Sequence, residues 1–213
     1  MAQIPGKRVL RGAFSLSDYF KVLDSISDHP LSSLAFRLFP YVLVDPAILF
    51  SSGWEDVDFE NKIFTAPAWV RVGDSAYLPT RLASHRIPLP EQALLLLTEL
   101  KDLTGSGRLL FPDPASRDAP LAVPSLDAIL LEKGYPPLVL ISFMVRKHAA
   151  LVLESRGYDA YWIECQLDAG VRPKKDPEFY RSGEFLEEMR KMAGESAAGL
   201  DSLIKRPPGA SLH

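Results

Sequence analysis

Apolar residues return at helical spacing along most of this chain, interrupted by one stretch of strand character. Ser15 or Ser17 is placed to N-cap a first helix reaching about Ser27, with Tyr19, Phe20, Leu23 and Ile26 on one face. Asp28-His29-Pro30 breaks it, and Leu34, Ala35, Leu38 and Phe39 mark the apolar face of a second helix. Trp54-Glu55-Asp56-Val57-Asp58-Phe59 leads to a turn at Glu60-Asn61 and a strand around Lys62–Thr65. Further β segments around Ala68–Val72 and Arg86–Leu89 complete a small antiparallel sheet. The leucine-rich helix Glu91–Leu103 stops at Thr104-Gly105. Residues 104–124 hold many Gly, Pro, Ser and Asp and read as a long surface loop. Helical patterns resume at Ser125–Lys133, Leu140–Arg156 and Ala160–Leu167, and a last helix runs from about Gly183 toward Leu203. Without internal repeats, one α+β domain, mostly helical with a small antiparallel sheet, accounts for the pattern.

Composition narrows the setting. With 213 residues and 47% hydrophobic content, the chain is long enough for one substantial core. No run of roughly 18 apolar residues points to a membrane span, and Met1–Arg8 is not followed by a signal-peptide apolar stretch. The single Cys165 excludes an internal disulfide framework and a cysteine-rich zinc site. We therefore expect a cytoplasmic protein without metal or cofactor. The net charge of −3 is unexpected for a protein that grips DNA, because nucleic-acid affinity draws on Lys and Arg at phosphates. A local basic face is compatible with it, and Arg172 with Lys174-Lys175 is the best cluster. That cluster reads either as a phosphate-backbone contact or as a solvated loop. Gly105-Ser106-Gly107 lacks a following helix-borne lysine and is no phosphate-binding loop.

Six fragments in order carry a resemblance. They are Trp54-Glu55-Asp56-Val57-Asp58-Phe59, His85-Arg86-Ile87-Pro88-Leu89 with Gln92-Ala93-Leu94, Leu110-Phe111-Pro112, Arg156-Gly157-Tyr158, Ile163-Glu164-Cys165-Gln166-Leu167, and the stretch from Phe179-Tyr180-Arg181 through Met192. Over about residues 14–205 the chain resembles the catalytic domain of phage-type integrases, the tyrosine recombinases. The resemblance implies that family's catalytic-domain fold, with residues 1–13 a basic leader and 206–213 a flexible tail. It also implies a chain without the N-terminal DNA arm-binding and core-binding domains of full integrases, whose clamp encircles DNA.

The family's chemistry uses a tyrosine that attacks a DNA phosphodiester, two arginines that stabilise phosphoryl charge, a lysine acid and assisting histidines. Each requirement has a physical basis. A phenol with a pKa of about 10 is a poor nucleophile unless activated, and one preorganised charge stabiliser is worth roughly 100–1000-fold in rate. Carried over by position, Tyr180 takes the place of the nucleophile and Arg146 that of the second arginine. The first arginine's Arg-Pro-Gly-Glu turn reads Asp45-Pro46-Ala47-Ile48, the His-x-x-Arg motif reads Phe143-Met144-Val145-Arg146, and the later histidine falls at Ala169. The lysine falls at Thr80 or near Val72 according to the direction of alignment, with Arg71 or Arg81 the nearby cations. An arginine is a poor general acid, so neither is a clear replacement.

Structural roles compete with the chemical ones. Tyr180 also reads as a packing residue beside Phe179 and Phe185, and Arg146 as the partner of Asp45 in an ion pair. His148, two residues after Arg146, is turned roughly 200° away on a helix and reads as packed or solvated. Leu186, Met189, Met192 or Ala193, Leu200 and Leu203 give the last helix an apolar face, for its own domain or for self-association. The expectation is an integrase-like protein, catalytically inactive, with a binding role toward DNA, an active recombinase or another protein. The alternatives are an active recombinase using Tyr180 and a protein-interaction module without DNA contact.

Overall fold

The computed structural model describes residues 15–26, 29–72, 76–167 and 183–204, with backbone alone at 17, 20, 22, 24, 25, 67–72 and 76–84. The expected leader, the tail, and Ala169, Arg172, Lys174, Lys175 and Tyr180 lie outside the described residues. Helices α1 (Leu16–Ser25), α2 (Pro30–Val42) and α3 (Pro46–Ser51) come first. Strands β1 (Val57–Asp58), β2 (Ile63–Val72) and β3 (Ala76–Pro88) follow. Helices α4 (Glu91–Thr104), α5 (Val123–Glu132), α6 (Leu138–Ser155), α7 (Ala160–Leu167) and α8 (Gly183–Ile204) complete the order.

Capping chemistry sets the first helix. Ser15 and Asp18 form a reciprocal capping box, so Ser15, not Ser17, starts α1. Tyr19 and Ile26 are buried and Leu23 packs against the core from a half-buried position. Helix α2 contains Pro40, which has no N–H and therefore cannot bond the carbonyl of Phe36. The buried hydroxyl of Tyr19 donates to that carbonyl instead, which ties α1 to α2 at the point where the helix is weakest.

The sheet is antiparallel in the order β1-β2-β3. The two β segments expected at Lys62–Thr65 and Ala68–Val72 are one strand, β2, and β3 begins well before Arg86. The register shifts in the middle, where Ala66 pairs with His85 but Ala68 pairs with Thr80. Pro67 sits at the shift with no N–H to offer the ladder, which is the chemistry that produces a bulge there. Arg71 pairs with Tyr77, and Arg81 falls in the bulge.

Two of the family-like fragments, Trp54–Phe59 and Leu110-Phe111-Pro112, are packing units. Trp54 stacks on Phe59 at 6.3 Å and donates its indole N–H to the Thr104 carbonyl at 3.2 Å. Lys101 lies over the Phe59 ring at 4.8 Å. Phe111 meets Phe50 edge-on at 5.3 Å, in the main core shared by α2, α3, α4, α5 and α6. Loop 105–122 holds bridges at Gly53–Leu109 and Pro112–Pro120 and otherwise no helix or strand, as expected for its composition.

Helix α8 packs on its own domain, against α6, α1, α2, α7 and β3. Leu186, Met189, Met192, Ala193, Ala197 and Leu200 are buried there. A Cβ on Gly199 would meet Val152 Cγ2 at 2.7 Å, so α6 and α8 approach closely only because that position is glycine. Asp201 accepts from the Tyr41 hydroxyl at 2.8 Å and from Gln92 Nε2 at 2.7 Å, pinning the end of α8 to α2 and α4. A second, smaller core of Leu153, Cys165, Phe185, Met189 and Met192 joins α6, α7 and α8, with Trp162 stacked on Phe185 at 5.6 Å. Among the described residues no helix is long and apolar enough to cross a membrane.

Candidate functional site

The positions that the resemblance assigns to the two arginines, Asp45 and Arg146, lie at the head of α3 and on α6, two helices packed against each other. Leu43 ends α2 in the left-handed region with φ 60°, its N–H bonded to the Phe39 carbonyl at 3.2 Å. The chain turns there and delivers Asp45 to the head of α3. Asp45 is the N-cap of that helix. Its carboxylate accepts from the Ala47 N–H at 2.8 Å, and Pro46 occupies the first helical position, where a missing N–H costs nothing. Asp45, at the position the resemblance assigns to an arginine, therefore has a local structural task.

Arg146 lies in the middle of α6 and is half-buried. Its Nη2 donates to the carbonyl of Leu167, the last residue of α7. A cation on a helix's final carbonyls is favourable because those groups lack intrahelical donors and carry the negative end of the dipole. The expected Asp45–Arg146 ion pair is not formed: the carboxylate caps α3 and the guanidinium caps α7. Each group has a nearer backbone partner that needs it.

Phe143 stands one turn before Arg146 and is 66% exposed. It presents a phenyl ring to solvent where the resembling family holds a histidine. His148 is half-buried between α6 and α8, as its position on the far side of the helix predicted. Burial lowers its pKa below the ordinary 6.5, partly offset by a hydrogen bond to the backbone of Gly199. It faces away from Arg146 and offers no base to that site. His85 is half-buried on β3, paired with Ala66. The side chains of Arg71 and Arg81 lie outside the described residues, as do Tyr180, Ala169 and the Arg172, Lys174, Lys175 cluster. Among the described residues no three His, Cys, Asp or Glu side chains gather in a metal-binding arrangement.

Two contacts were not anticipated. The Leu167 carbonyl as the partner of Arg146 leaves no sequence signal, because it depends on how α7 docks. The cap at Asp45 does leave one, since Asp followed by Pro is a helix-start pair. What the described groups supply is thus a carboxylate, a phenyl ring and one guanidinium already bonded to a carbonyl.

No protein-family model matches the chain. It is 26% identical over 182 residues to the putative protein IntB of Escherichia coli K12, covering 80% of this chain and 44% of that relative. It is 27% identical over 147 residues to the prophage integrase IntA of the same strain, covering 69% and 33%. The integrase of Shigella phage Sf6 is 25% identical over 186 residues, covering 87% and 46%. The chain spans less than half the length of these relatives. Among solved structures, the XerA recombinase matches with a TM-score of 0.52 and 14% identity, covering 89% of this chain and 65% of that one. A fragment of the Tn1549 transposon integrase, solved in complex with circular intermediate DNA, matches with a TM-score of 0.51 and 10% identity, covering 80% and 61%. The chain is related in sequence to prophage integrases, and its fold is that of a tyrosine recombinase catalytic domain.

Proposed function

We propose that this chain is an integrase-like protein without strand-transfer activity, whose recombinase fold serves a binding role. One observation carries this: the charged residues at the two arginine positions are both occupied as helix caps, Asp45 on α3 and Arg146 on α7. Phosphoryl transfer depends on cations preorganised around the developing charge, each worth roughly 100–1000-fold. An Asp at the first such position adds repulsion: two like charges at about 4 Å repel by about 4 kcal/mol at an effective dielectric near 20. Phe143 removes a proton-transfer partner beside the remaining arginine. A phenol at Tyr180 needs activation, and neither Phe143 nor Ala169 can accept its proton.

DNA is the first partner to test, because the Tn1549 transposon integrase of the same fold is solved in complex with DNA. Arg172, Lys174 and Lys175 are the side chains we assign to a phosphate contact. A nicked suicide duplex that traps a phosphotyrosine adduct, read alongside mobility shifts at rising salt, tests both halves. No adduct is expected. An adduct that disappears in Tyr180→Phe would establish an active recombinase and overturn the proposal. A steep salt slope, reduced by alanine at the three basic positions, assigns the binding role to DNA; its absence assigns that role to a protein.

A further inference from the structure

Helix α6 is apolar on almost every face, a pattern that ordinarily marks a helix enclosed on all sides. It is not enclosed. Leu138, Ile141, Val145, Ala149 and Leu153 fill the core, yet Val139 is 67% exposed, Leu140 49%, Phe143 66% and Leu151 53%. At 100° per residue, Leu140, Phe143, Lys147 and Leu151 fall within a row about 80° wide that exposed Glu154 shares beyond Leu151, with Val139 about 40° outside its edge at Phe143. Lys147 is exposed in the middle of the row and has no carboxylate partner among the described residues.

We propose that this row is a docking surface for an amphipathic helix of another protein, one that carries an acidic residue opposite Lys147. The inference rests on the protein-binding form of the role proposed above and names the chemistry of that partner.

Area and charge select the occupant. The four exposed side chains offer on the order of 400 Å², the size of a functional patch on a monomer. Doubled for two faces, that is about 800 Å², below the roughly 1,000 Å² that a specific interface between folded bodies needs. A single helix laid along the row uses such an area well, through anchors at i, i+3 or i+4, and i+7. A second copy is a poor occupant. Its long amphipathic helix, α8, has its apolar face buried on its own domain, and self-pairing of α6 about its centre sets Lys147 against Lys147. Nucleic acid is also a poor fit, because phosphates call for more than one cation along the row.

A displayed library of amphipathic helical peptides, selected on the full chain and counter-selected on Phe143→Glu, tests the surface. Phe143 is exposed, so the substitution leaves the core intact; circular dichroism checks this. We expect enriched peptides with an acidic residue at the centre of the apolar row. Their fluorescence anisotropy should show binding at least 10-fold weaker to Phe143→Glu. Lys147→Glu should weaken acidic peptides and restore binding of those whose central acid is changed to lysine. Failure to enrich over the Phe143→Glu protein overturns the proposal, as does binding indifferent to both substitutions. Concentration-dependent dimers abolished by Phe143→Glu would identify a second copy as the occupant, and duplex DNA binding lost in that variant would identify nucleic acid; either result overturns it. The phosphotyrosine trap reports on Tyr180 and the peptides on α6, so the two proposals fail separately.

Discussion

Tyr19→Phe deletes one oxygen from the interior, and its cost can be worked from the structure. Pro40 leaves the Phe36 carbonyl without its usual helical donor, and the Tyr19 hydroxyl fills that role. Tyr19 and Phe36 are both 0% exposed, so water has no route to replace it. The phenyl ring and its edge-on contact with Phe39, at 6.4 Å and 88°, survive the substitution. What remains is a buried carbonyl with no donor, a loss of about 1–3 kcal/mol. In a chain of this size that lowers the melting temperature by roughly 2–12 °C. Pro40→Ala restores an N–H at position 40, so Tyr19→Phe should cost about 1 kcal/mol less in that background. Urea unfolding of the four proteins of this cycle, followed by circular dichroism, measures the coupling. A cost of Tyr19→Phe below about 0.5 kcal/mol, or an equal cost in both backgrounds, would refute the assigned role.

Two further outcomes follow from caps and burial, beside the adduct and peptide experiments already described. Asp45→Ala should lower stability by about 0.5–2 kcal/mol while Asp45→Asn, which keeps an acceptor for the Ala47 N–H, should be nearly neutral. Equal losses in both, coupled to Arg146→Ala, would restore the ion pair instead. Burial holds the folded-state pKa of His148 below the ordinary 6.5, so the unfolded chain takes up its proton first as pH falls. Stability contributed at this site is full above about pH 6.5, declines below it, and levels off once the folded imidazole also protonates. His148→Leu should remove that slope from urea midpoints measured between about pH 5 and 8; an unchanged slope would place its origin elsewhere.

Much of the fold is legible in the chain because helical periodicity and caps act locally. Tyr19 on α1, Ile26 at its C-cap, Leu34, Ala35, Leu38 and Phe39 on α2, and Met189, Met192, Ala193 and Leu200 on α8 are buried as their spacing suggests. Strand β2 departs furthest from its pattern. Pro67 looks like a break between two strands, yet a single strand absorbs a proline at a bulge when its partner supplies the extra residues. Helix α3 is hidden in the sequence by its six-residue length and by the likeness of its start to an Arg-Pro-Gly-Glu turn, although Asp45-Pro46 encodes its cap. For α6, periodicity could not say which face is covered, since apolar residues occupy nearly all of them.

Residue identities alone carry the resemblance, which assigns Asp45, Phe143 and Ala169 to the positions of an arginine and two histidines. Only tertiary structure decided what the neighbouring groups do instead. Arg146 bonds the Leu167 carbonyl because α7 ends beside α6, and Tyr19 completes α2 because α1 crosses it at Pro40. Both contacts join residues 17 or more positions apart in the chain, beyond the reach of local propensity. A side chain's chemistry is written in the sequence, but its partner depends on which unsatisfied backbone group the packing of helices places within reach.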